Sequence, residues 1–145
     1  MAQNSAYDLD FYAWAQDQAR ILRSGELAAA DIENIAEEIE SMGRSEKREL
    51  VNRLGVLLLH LLKWKFQPNL RGASWQASVT VQRFRLAEHL ADNPSLKSKL
   101  EDAMASAYRG AVLDAIVETG LARTTFPAEC PFKPAQALDN GFWPD

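Results

Sequence analysis

Apolar residues recur along this chain at helical rather than strand spacing. Leu9, Tyr12, Ala15, Ala19 and Leu22 mark a first helix over about residues 8–24, with Gly25 as its C-terminal stop. Asp31 is a good N-cap, and Ile32, Ile35, Ala36, Ile39 and Met42 follow it on one face, with Glu33, Glu37 and Ser41 turned away. Gly43 interrupts that pattern, and a glycine inside a helix costs about 1 kcal/mol relative to alanine. The phase nevertheless survives it. Leu50, Leu54, Leu57 and Leu61 fall on nearly the same face at 100° per residue, which favours one long central helix over about residues 31–66, with Gly43 as the place for a kink or a break. Pro68 ends it, because the residue before a proline is pushed out of the helical region.

Ser74 caps a third pattern over 74–92, carried by Trp75, Val79, Leu86 and Leu90. Asn93 followed by Pro94 restarts a helix over about 94–119, and Leu96, Leu100, Ala103, Ala107, Ala111 and Ala115 give it a stripe of small residues. That stripe suits internal packing and a homodimer seam equally well. From residue 121 to 145 prolines 127, 131, 134 and 144 alternate with aromatic residues, as in an irregular arm strapped across a bundle, with at most a helical turn near 134–138. No strand alternation or internal repeat is visible. The expectation is an all-α, single-domain bundle of four to five helices.

With 145 residues and 47% hydrophobic content the chain is large enough to bury a core. Its charges are uneven: residues 1–50 carry eleven acids and five bases, whereas residues 60–90 carry five bases and one acid, Glu88. Mutual neutralisation of the two regions is the simpler reading. A net charge of −4 argues against a protein that coats nucleic acid. No apolar run approaches the length that spans a bilayer, and the N-terminus lacks a signal-peptide pattern. The lone Cys130 forms no internal disulfide, which points to a reducing, cytoplasmic setting.

Several segments, taken in order, resemble the bacterial domain-of-unknown-function family twenty-nine. They are YDLDFYAWAQDQARILRSG, DIENIAEEIESMGRSEKREL, LLLHLLKWKFQP, SW followed by QR, DNPSL, and ETG followed by FPAECPF. The resemblance implies a stand-alone, all-α, cytoplasmic bacterial protein and transfers no activity, catalytic residue or cofactor.

On a continuous central helix Glu46, Arg53 and His60 stand seven apart beside the leucine face, and Glu49 lies four before Arg53. This line is either a satisfied structural ladder or a cleft of carboxylate, guanidinium and imidazole that binds an anion or moves a proton. Metal ligation is poorly supported. There is no Glu-x-x-His pair and no His-Glu-x-x-His, so Glu38 and His60 are only weak candidates and no cofactor is expected. Cys130 reads as a small buried hydrophobe rather than a nucleophile. Lys63, Trp64, Lys65, Arg71, Arg83 and Arg85, with Phe66 and Trp75, form a basic and aromatic patch that could meet a partner, or stack bases and hold phosphates. Core anchoring explains the tryptophans without a nucleic acid. The leading expectation is a non-catalytic interaction or adaptor module with a protein partner. A small enzyme or ligand-binding protein using the Glu/Arg/His line is the alternative, and a weak nucleic-acid binder acting through residues 63–85 comes after it.

Overall fold

A computed structural model describes residues 5–145. These residues form six α-helices, and no strand occurs among them. They are α1 (Ala6–Leu9), α2 (Phe11–Ser24), α3 (Ile32–Phe66), α4 (Ala73–Asp92), α5 (Leu100–Thr119) and α6 (Pro134–Leu138). The molecule is all-α with a long central helix. That helix, α3, runs 35 residues through Gly43 without losing helical structure. The chain divides into two compact units, residues 1–45 and 46–145, and the division falls inside α3.

In the first unit the expected single helix over 8–24 is two. Asp10 breaks it, and its side chain accepts from the Ala13 N–H at 3.0 Å, capping α2. Gly25 takes the left-handed conformation that ends α2. Tyr7, Phe11 and Trp14 pack edge-on and tilted, with centroids 4.8 to 5.7 Å apart. Asp31 ties α2 to the start of α3. Its carboxylate accepts from Trp14 Nε1 at 2.9 Å and Asn34 Nδ2 at 2.8 Å, while its backbone N–H donates to Gln18 Oε1 at 2.7 Å.

The Asn34 and Trp14 hydrogen bonds hold the Asp31 carboxyl below its ordinary value of 3.8. A depressed folded-state pKa gives stability that is present above the unfolded value and lost as pH falls through the folded one. Acidification below pH 3.8 is therefore expected to release the Trp14 indole N–H, read as a shift of its NMR resonance. Asp31→Asn should abolish that titration. A Trp14 signal that titrates identically in the variant would place the cause elsewhere.

In the second unit the core is built by α3 from Leu50 onward against α4 and α5. Leu50, Leu54, Leu57, Leu58, Leu61 and Leu62 are completely buried, together with Val79 and Leu86 of α4 and Ala115 of α5. Ala103, Ala107 and Ala111 are buried in the same cluster, so this stripe serves the interior of the chain. Glycine at 55 brings α3 close to α5, since a Cβ there would lie 3.9 Å from the Ala107 carbonyl oxygen. Helix α4 begins at Ala73 after Gly72, one residue ahead of the cap expected at Ser74. Pro94 starts a 3-10 stretch, Pro94–Lys99, and α5 begins only at Leu100. Asn93 does not cap it; its Nδ2 donates back to the His89 carbonyl at 3.1 Å.

The arm is fastened. Phe126 and Phe132 are buried, Phe126 lies edge-on to Phe66 at 5.3 Å, and Tyr108 donates its hydroxyl to the Pro127 carbonyl at 2.6 Å. Arg83, 3% exposed on α4, donates to the carbonyls of Ala137, Asn140 and Phe142 at 2.8, 3.5 and 2.7 Å and lies over Trp143. Arg71 donates to the carbonyls of Trp64 and Pro144 at 2.7 and 3.3 Å.

Candidate functional site

Each unit carries a feature beyond its packed core. In the second unit it is a cleft of about 400 Å³ lined by Glu46, Glu49 and Arg53 of α3, by Arg85, Glu88, His89 and Asp92 of α4, and by Asn93. Glu46 and Glu49 are one turn apart, which places both on the side of α3 that meets α4. His89 comes from the last turn of α4 and is 7% exposed. Its Nε2 lies 2.8 Å from the Glu46 carbonyl oxygen. A carbonyl only accepts, so that contact assigns the ring proton to Nε2. Nδ1 then faces Oε2 of Glu46 at 3.6 Å and Oε2 of Glu49 at 3.5 Å. The other Glu49 oxygen, Oε1, is held by Arg53 through Nε and Nη2, both at 3.0 Å.

Of the residues singled out from the sequence, Glu46, Glu49 and Arg53 meet here, and His60 does not join them. His60 Nδ1 donates to the Val56 carbonyl at 2.8 Å, within its own helix. Glu38 accepts the hydroxyl of Tyr7 within the first unit. Glu38 and His60 thus belong to different units and each is engaged by a different partner. His89, which sequence reasoning passed over, takes the imidazole position. Its partners are 40 and 43 residues away in the chain, so no local spacing announces it.

The basic and aromatic patch is engaged internally. Lys63 lies 3.5 Å from Glu118 and over the Trp75 ring, Lys65 lies over Phe66, and Arg85 is 3.4 Å from Glu88. Trp64 stacks on Trp143 at 4.5 Å and beneath Arg71, while Arg83 is buried beneath the arm. Cys130 donates its thiol to the Phe132 carbonyl at 3.3 Å, and burial pushes that thiol up from its ordinary value, so it stays protonated and poorly nucleophilic.

In the first unit that feature is apolar. Ile32, Ile39 and Met42 on α3 are 52%, 63% and 67% exposed, although they share the face that is wholly buried from Leu50 onward. Among the described residues no helix is long and apolar enough to cross a membrane.

Fold and cleft together define an all-helical protein that carries a small carboxylate–imidazole cluster. A family model described as domain of unknown function DUF29 matches residues 6–143, nearly the whole chain, and the protein belongs to that family. Comparison with curated proteins and with solved structures found no match.

Proposed function

We propose that this protein is an interaction module that receives a basic amphipathic helix of a partner protein on the apolar face of its first unit. The observation that carries this reading is the change in coverage along α3. One helical stripe is fully buried at Leu50, Leu54, Leu57 and Leu61 and bare at Ile32, Ile39 and Met42. Exposed residues at seven- and three-residue spacing suit a second helix laid into the seam. The charge of the partner follows from the surroundings. Residues 1–45 carry nine acids and three bases. Arg44 is already engaged by Glu37 at 2.8 Å and lies 3.8 Å from Glu40. A basic helix would meet complementary charge, which favours both encounter and register. The lone cysteine supports a reducing, cytoplasmic setting.

A photo-crosslinking residue at position 39, introduced in the native host, tests the reading. The expected product is a heterologous protein joined through a basic amphipathic segment and lost in the Ile39→Glu/Met42→Glu variant. Both substitutions fall at exposed positions and should leave the circular dichroism unchanged. Crosslinking only to a second copy of this chain, or to no protein reproducibly, would overturn it.

A further inference from the structure

We propose that Glu46, Glu49 and His89 bind one first-row divalent transition-metal ion, a site independent of the helix-docking reading. Three observations converge on it.

The first is the direction of the imidazole. His89 is more than nine-tenths buried, and its Nε2–H is committed to the Glu46 carbonyl. Nδ1 is then the ring atom that faces the two carboxylate oxygens, and in a neutral ring it presents a lone pair to them. An acceptor turned toward two carboxylate acceptors calls for a positive charge at that point, either a metal ion or a proton on Nδ1. A metal-bound histidine commonly donates its other ring N–H to a backbone carbonyl, which fixes the tautomer and the ring plane, as found here.

The second is spacing. Ligand bonds of 2.0–2.2 Å meeting at a tetrahedral angle put nitrogen and oxygen donors about 3.4 Å apart. The Nδ1 to Oε2 distances are 3.5 and 3.6 Å, and the three donor atoms all lie within 4.8 Å of one another.

The third is the support around the donors. Arg53 grips Oε1 of Glu49 with two nitrogens and so leaves Oε2 turned toward His89. The adjoining cleft of about 400 Å³ has room for water to complete the coordination. One imidazole with two carboxylates suits Zn²⁺, Mn²⁺, Fe²⁺ or Co²⁺. Mg²⁺ and Ca²⁺ favour all-oxygen sets, and copper(I) favours sulfur.

The competing occupant is a proton on Nδ1, which would make the cluster an ion pair and nothing more. Untagged full-length protein, stripped with a chelator, separates the two. Titration with Co²⁺ followed by visible absorption, and with Zn²⁺ by calorimetry, is expected to give one ion per chain. Glu46→Gln and Glu49→Gln should each weaken binding about tenfold or more. Both side chains are about half exposed, so these variants should keep the wild-type circular dichroism even if a substitution at buried His89 does not. Absence of Co²⁺ absorption bands at saturating metal leaves the ion pair alone and overturns the proposal. So does binding that is unchanged in both variants, which would place the ion elsewhere.

Discussion

Replacing Arg83 with leucine is expected to destabilise the protein by about 3 kcal/mol or more and to release the C-terminal arm. Hydrogen bonds to a charged partner contribute about 1.5–3 kcal/mol each. Arg83 makes two short ones, to Ala137 and Phe142, and a longer one to Asn140. Its guanidinium also lies 5.4 Å from the centroid of Trp143, which adds a cation–π contribution that strengthens with burial. Leucine keeps the apolar volume and loses all of this, leaving arm carbonyls to seek water by detaching. Urea denaturation should show the lower midpoint, and limited proteolysis should cut after Lys133 well before the helices unfold. Arg83→Lys should recover only part of the loss, because an ammonium cannot reproduce a planar fork that serves three diverging carbonyls. Stability within about 0.5 kcal/mol of wild type for the leucine variant, the range of an ordinary surface change, would show that the arm is held by its aromatic residues alone.

Leu57→Ala is expected to cost about 3 kcal/mol, within the range of about 2–5 found for leucine truncations in well-packed cores. Leu57 is 0% exposed and is enclosed with leucines 50, 54, 58 and 61 of its own helix and with residues of α4 and α5. The informative comparison is Ile39→Ala. It sits on the same face of the same helix but is 63% exposed, and its cost should stay within about 0.5 kcal/mol. Equal losses at the two positions by chemical denaturation would mean that Ile39 is covered within the isolated chain. That result would remove the basis for a partner helix.

Helical periodicity was sufficient to read the all-α class, the long α3 and the irregular arm, because each depends on local pattern. The break at Asp10 was not readable, since the apolar spacing runs straight through it and only the bond to the Ala13 N–H reveals the cap. Asn93 and Pro94 carry the signature of a helix start, yet the chain makes a 3-10 stretch there and reaches α5 six residues later. The cleft divides in the same way. Spacing along α3 aligns Glu46, Glu49 and Arg53 on one side. It is silent about which neighbouring helix closes over them, so His60 on that line stays within its own turn while His89 arrives from α4. The amphipathic pattern likewise marks a face for burial without saying whether this chain or another molecule buries it. At Leu57 this chain does the burying, whereas Ile39 is left 63% exposed.

The 35 residues of α3 are helical throughout, and its two ends belong to different compact units. Its backbone amides should therefore keep different time. Those around residues 54–62 can trade hydrogen with solvent only when the second unit opens as a whole. Those around residues 32–42, wrapped in far less packed material, can exchange through small excursions of a turn or two. The two ends of one helix should thus differ in persistence, and a protein pressed against its first three turns would be felt first as a slowing of exchange there.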